Sequence, residues 1–176
     1  MNKSKIISVL TGGALIFSMT GCITTPLAQA MPLKKETNIN VDLIHSTKTI
    51  RDTQKMKSVL MQIFHHVGRT PYVFAGSSLY GWDCSGMVRW MYQQFGITLP
   101  HSATAQARVG HRVTTPKIGD IVLFGYKGYS NFYHAAIYIG KGKVVNANSF
   151  AGTTIIEPLS NYKNNRIAYV RVVSTI

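Results

Sequence analysis

The run Asp83-Cys84-Ser85-Gly86 sets a thiol at the point where a helical pattern begins. Backbone N–H groups left unpaired at a helix start, together with the helix dipole, stabilise negative charge. A cysteine there gains thiolate character, and the same N–H groups can hold an oxyanion. A nucleophilic thiol also needs a base within proton-transfer reach. His134 opens a β-rich run and is the best placed histidine, because His65 and His66 fall on a predicted helix and His45 lies in a polar stretch. Asn146, with Asn148 behind it, can orient the imidazole and fix its tautomer. The plainer readings are an inert buried cysteine, a structural histidine and a strand asparagine.

The spacing between the second and third of these residues poses a geometric problem. Gly140-Lys141-Gly142-Lys143 reads as a hairpin turn. With an ordinary two-residue loop, Gly140 pairs with Lys143 and His134 with Ser149, which puts Asn146 on the opposite face of the sheet from His134. A bulge or an odd loop is required to bring the two side chains together.

The elements that must hold these residues follow from periodicity. Met56, Val59, Leu60, Ile63 and Phe64 recur at helical spacing, predicting a helix over about 52–67 that Gly68 and Pro71 bring to an end. A second helix is expected over 84–95, with Val88, Met91, Tyr92 and Phe95 on one face and Gly96 as its stop. Ser102 can cap a short third helix over 103–109. Short β-rich runs follow at 121–124, 134–139, 144–147, 153–156 and 167–173, separated by Gly, Asn and Pro. Helices first and strands afterwards predict an α+β domain whose helices pack on a central antiparallel sheet.

Residues 1–30 read as a signal peptide: Lys3 and Lys5, then an apolar run, then small residues. Two processing sites compete. Leu27-Ala28-Gln29-Ala30 suits an ordinary signal peptidase, whereas Met19-Thr20-Gly21-Cys22 resembles a lipoprotein box that would leave Cys22 lipid-anchored. On either route Cys84 is the remaining thiol of the two cysteines, and a free thiol is unusual outside the cytoplasm. Residues 31–51 are polar, show no sustained apolar period and read as a tether, leaving 52–176 as one catalytic domain. The formal net charge of +13 implies an anionic neighbour, namely wall polymers or a membrane surface. Export argues against nucleic acid. The cysteines and histidines offer no metal-ligand spacing, and the oligomeric state is not legible.

Six segments in order resemble the NlpC family of papain-like wall peptidases. They are 72–76 (Tyr-Val-Phe-Ala-Gly), 83–88 (Asp-Cys-Ser-Gly-Met-Val), Leu99-Pro100, 119–122 (Gly-Asp-Ile-Val), 134–140 (His-Ala-Ala-Ile-Tyr-Ile-Gly) and Val145-Asn146-Ala147. The resemblance implies a papain-like fold and a cysteine peptidase that needs no cofactor. Its implied substrates are peptidoglycan or muropeptides, cut between γ-linked D-glutamate and the following diamino acid. By the same matching Cys84, His134 and Asn146 are catalytic, while Tyr72, Asp83 and Ser85 bind substrate, Asp83 and Tyr72 holding a free amine on the stem's first L-alanine. Capping of the helix is the local alternative for Asp83. Three departures stand out: Phe74-Ala75 in place of Trp-Gly, His101 in place of Arg, and Asn146 where histidine is common. Rival readings are an N-acetylmuramoyl-L-alanine amidase and a noncatalytic cationic wall-binding protein.

Overall fold

A computed structural model describes residues 39–173; the expected signal peptide, both processing sites, Cys22 and the first part of the expected tether lie outside the described residues. Helix α1 runs Ile39–His65. Its second half carries the predicted stripe, with Met56, Val59, Leu60 and Ile63 buried. Its first half, residues 39–51, is helical although the sequence shows no sustained apolar period there. Side chains 45–51 are exposed, so no burial period marks this stretch in the sequence. Local support comes instead from pairs such as Lys48 Nζ to Asp52 Oδ2, 3.2 Å apart and one turn away.

Helix α2, Cys84–Gln93, buries Met87, Val88, Met91 and Tyr92, and Gly96 ends the segment at φ 75°. Helix α3, Ala103–Gln106, is a single turn capped by Ser102, whose Oγ accepts from the Ala105 N–H at 3.4 Å. It stops short of the predicted residue 109.

Two strand pairings escaped the sequence pattern because they are too short to show a period. One is the hairpin of β1, Ser77–Ser78, with β2, Gly81–Trp82. The other joins edge strand β3, His111–Val113, to the last strand. The remaining strands lie where the pattern put them: β4 Ile121–Gly125, β5 His134–Gly140, β6 Lys143–Asn148, β7 Thr153–Pro158 and β8 Arg166–Arg171. The main sheet has the order β3-β8-β4-β5-β6-β7 and is antiparallel throughout.

Alternation along the strands builds two apolar faces. Ile121, Leu123, Ala135, Ile137, Val145, Ala147 and Val170 join Ile63, Met87, Val88 and Met91 of the helices in one core. Val122, Phe124, Ala136 and Val144 form a second layer on the other face, packed by Leu159 and Tyr162 of a 3₁₀ turn, Leu159–Tyr162. Buried polar groups tie the layers together: Trp82 Nε1 donates to Thr154 Oγ1 at 2.7 Å, and Tyr92 Oη to the Gly119 carbonyl at 2.8 Å. The architecture is the expected α+β one, helices against an antiparallel sheet.

The β5–β6 hairpin contains the irregularity the sequence required. Gly140 pairs with Lys143, but Tyr138 pairs with Val144 and Ile137 with Val145, so Ile139 is an extra residue on β5. That one-residue shift moves Asn146 to the sheet face that carries Ala136 and His134.

Candidate active site

Helix α2 begins at Cys84 because Asp83 caps it. One Asp83 oxygen, Oδ1, accepts from the Gly86 N–H at 2.7 Å, Ser85 Oγ at 3.0 Å and His101 Nε2 at 2.9 Å. The other accepts from the Ala75 N–H at 3.0 Å. Both oxygens are thus engaged in fixing the helix start and the 75–76 loop. A Cβ at position 86 would run into the Gly76 carbonyl, so glycine is what lets that loop lie against the first turn. These constraints hold the Cys84 side chain at the floor of a cleft.

The thiol receives backbone N–H groups from Ala135, Ser85 and Cys84 itself, which favour the thiolate. Burial outweighs them and pushes the Cys84 pKa up. The expectation of a thiol acidified by its helix position is therefore corrected: the donors are in place, but desolvation dominates.

His134 is stacked among aromatic rings, with centroids of Phe124, Tyr162 and Tyr133 at 5.7, 6.1 and 6.4 Å. Burial pushes its pKa down, opposed by the Asn146 hydrogen bond and by the charges of Glu157 and Asp83. Its Nε2 lies 3.1 Å from Oδ1 of the fully buried Asn146. The Asn146 amide cannot be reversed without loss, because its Nδ2 donates to Glu157 Oε1 at 2.8 Å. An amide oxygen only accepts, so Nε2 carries the imidazole proton and Nδ1 keeps its lone pair. Asn148 serves the loop instead, its Oδ1 accepting from the N–H groups of Phe150 and Ala151 and so shaping the β6–β7 turn.

Cys84 and His134 border one cavity of about 320 Å³ with Tyr72, Glu157 and Tyr162. A second hollow, of about 510 Å³, also reaches Cys84 and is lined by Tyr72, Asp83, Ser85, His101 and Phe74. The thiol sits where the two meet, an arrangement that can receive an extended chain on both sides of one bond. All six predicted site residues are gathered here, Asn146 from beneath rather than on the cavity wall.

Glu157 and Tyr162 were not singled out by the sequence. Glu157 accepts from Asn146, from Tyr162 Oη at 2.8 Å and from Asn161 Nδ2 at 2.9 Å, which together hold its carboxyl below the usual range against the opposing effect of burial. The available signal was an acid within a β-rich run, in a chain with only six Asp and Glu. Tyr162 stacks on Phe124 at 3.8 Å, behind the imidazole.

Comparison with known proteins gives one consistent picture. The family model described as the NlpC/P60 family matches residues 68–172. A probable endopeptidase of Mycobacterium bovis is 39% identical over 93 residues, covering 52% of this chain and 23% of that protein. A gamma-DL-glutamyl hydrolase of Bacillus subtilis is 36% identical over 117 residues, covering 64% of this chain and 28% of that protein. The chain thus spans about a quarter of the length of these relatives. Among solved structures, the NlpC/p60 domain of the peptidoglycan hydrolase SagA superposes with a TM-score of 0.56 at 27% identity, covering 66% of this chain and 97% of that one.

Proposed function

The chain belongs to the NlpC/P60 family, and on that premise we propose that it is a cysteine peptidase that hydrolyses peptidoglycan stem peptides at the bond between γ-linked D-glutamate and the diamino acid that follows. The observation that carries this reading is the fixed tautomer of His134. With Nε2 committed to Asn146 and Asn146 committed to Glu157, the basic atom left on the ring is Nδ1, and His134 lines the same cavity as Cys84. A purely structural histidine has no need of an asparagine locked in one orientation. The names of similar proteins, an endopeptidase and a gamma-DL-glutamyl hydrolase, support the substrate class.

In this mechanism Nδ1 of His134 takes the proton from Cys84 Sγ as sulfur attacks the scissile carbonyl carbon. The tetrahedral oxyanion is held near the Cys84 amide. The imidazolium then gives its proton to the leaving amine, and the C–N bond breaks to leave a thioester on Cys84. Water, deprotonated by Nδ1, attacks that thioester, releasing a carboxylate and restoring the thiol. Burial disfavours an isolated thiolate and an isolated imidazolium alike, so the charge that appears as the proton moves depends on the donors around Cys84 and the acceptor behind His134.

Tyr72, Asp83 and Ser85 line the second hollow, where they would bind the N-terminal part of the stem. Export by residues 1–30, with or without a lipid on Cys22, would bring the domain to the wall, and the charge of +11 left after loss of Lys3 and Lys5 favours its anionic polymers.

The test uses purified murein and mass spectrometry of the released fragments. Cys84→Ala is expected to abolish release while keeping the fold. Fragments with a new N-terminus on the diamino acid support the reading; free stems beginning at L-alanine indicate an amidase instead. Wall binding without any cysteine-dependent cleavage overturns the enzyme.

A further inference from the structure

The proposed catalysis assigns work to Cys84, His134 and Asn146, yet the hydrogen bonds behind them converge on a fourth group. Glu157 Oε1 accepts from Asn146 Nδ2 at 2.8 Å and Tyr162 Oη at 2.8 Å, with Asn148 Nδ2 at 3.5 Å, while Oε2 accepts from Asn161 Nδ2 at 2.9 Å. Every partner is a donor. Four donors aimed at one carboxylate describe a site built for an anion, in a chain with 19 Lys and Arg and only 6 Asp and Glu.

Placement on the strands makes this possible. Glu157 pairs with Val144, and Asn146 with Ile155, so the two side chains sit diagonally on one face of the β6–β7 ladder. The 3₁₀ turn brings Asn161 and Tyr162 back over the same carboxylate. Resting on the catalytic reading above, we infer that Glu157 is a positioning residue of the Cys84–His134 pair, clamping the Asn146 amide in its productive orientation and supplying the negative charge that makes His134 a stronger base.

The clamp and the charge are separable. The clamp needs only an acceptor at Oε1. The charge sits on a half-buried carboxylate and acts through the fully buried Asn146 on an imidazole whose burial alone would leave it a weak base. The groups facing that imidazole are Cys84 and Asp83 from α2 and its cap, Tyr72 from the preceding loop, Tyr133 beside it, Glu157 from β7 and Tyr162 from the 3₁₀ turn. Of these, Asp83 and Glu157 are carboxylates, and Asp83 is engaged by Ala75, Ser85, Gly86 and His101. Glu157 is the one carboxylate among them joined to the imidazole through a single intervening side chain. Proton transfer from sulfur to Nδ1 leaves positive charge on the ring, and Glu157 stabilises that state through Asn146, on the Nε2 side of the imidazole.

Glu157→Gln distinguishes the two roles. A glutamine can keep its oxygen toward Asn146 and Tyr162 and turn its NH2 toward Asn161, whose exposed amide must turn over to offer its oxygen, preserving the clamp and deleting the charge. The experiment follows the His134 ring by NMR titration in the full chain carrying Cys84→Ala, with and without Glu157→Gln, so the readout does not depend on turnover. The His134 pKa is expected to fall by about one unit on losing the charge. In the chain with Cys84 intact, Glu157→Gln should lower kcat about tenfold with KM little changed. Glu157→Asp, which keeps the charge but withdraws it by one methylene, should recover most of the His134 pKa; if the glutamine variant fails to fold, Glu157→Ala deletes the charge at this half-buried position on the cavity wall and should lower the His134 pKa likewise.

Superimposable His134 titration curves with and without Glu157→Gln would overturn the inference whatever the rate does, since the carboxylate would then be scaffold alone. A lowered pKa with unchanged kcat would overturn its catalytic consequence. A wild-type chain that cleaves no murein would remove the enzymatic reading, while the titration would still decide whether Glu157 sets the basicity of His134.

Discussion

Replacing Asn146 by alanine tests the geometry most directly, because this side chain is fully buried and both of its polar ends are engaged. The substitution removes an acceptor 3.1 Å from His134 Nε2 and a donor 2.8 Å from Glu157 Oε1. A neutral hydrogen bond is worth about 1 kcal/mol net and one to a charged group about 1.5–3 kcal/mol. Loss of both predicts a stability decrease of about 2–4 kcal/mol, at the lower end if water enters from the adjoining cavity. Catalysis should suffer separately. With Oδ1 gone, the ring can rotate and the proton can move to Nδ1, the atom that must accept from sulfur. A fall in kcat of about ten- to a hundredfold, or roughly 1.4–2.7 kcal/mol in the barrier, is expected with KM little altered. Steady-state cleavage of a defined muropeptide, measured well below the unfolding midpoint and beside a thermal melt, separates the two effects. A variant that melts at lower temperature but turns over at the wild-type rate would refute the reasoning, leaving Asn146 as a structural asparagine.

Ala75 occupies left-handed backbone at φ 59°, where an L side chain costs about 1–2 kcal/mol, so Ala75→Gly should be neutral to stabilising by about 1 kcal/mol in a thermal melt despite the entropy of glycine. Gly86→Ala drives a methyl into the Gly76 carbonyl and should cost more than about 3 kcal/mol or prevent folding, as read by circular dichroism and soluble yield. The pH profile of kcat/KM should be broad: a His134 pKa held below 6.5 keeps the base neutral into mildly acid solution, and a Cys84 pKa held above 9.0 delays loss of the thiol proton on the alkaline side. Glu157 has its folded pKa below the ordinary 4.5, so the stability it confers is present above that value and is lost as pH falls through the folded pKa. The difference in unfolding free energy between wild type and Glu157→Gln should therefore shrink below about pH 4.5 in acid titrations.

Much of this arrangement was legible from residue order because its signals are periodic. The strands at 121–125, 134–140, 143–148, 153–158 and 166–171 announced themselves by β-rich composition between turn residues, and α2 by its apolar stripe. What stayed hidden lacks a period. Residues 45–51 of α1 bury no face, and the two-residue strands β1 and β2 are shorter than one alternation. The thiol's acidity was misjudged for another reason: a sequence shows that a cysteine begins a helix but not how much solvent the completed fold removes from it.

The bulge at Ile139 shows how these two kinds of information meet. Alternation alone put His134 and Asn146 on opposite faces, and their chemistry demanded one face. An extra residue in β5 is the smallest change that reconciles them, since it shifts every later side chain of the pairing without breaking the turn at 140–143. The same shift carries a consequence for β7. Because Asn146 reaches the imidazole from the face away from α2, its second polar end must find a partner on that face as well, and the neighbouring strand supplies it at Glu157. A bulge that served only to orient the histidine would leave a buried amide donor unpaired at a cost of about 1–3 kcal/mol. The irregular hairpin and the carboxylate on the adjacent strand therefore solve one problem together, and neither position can change without disturbing the other.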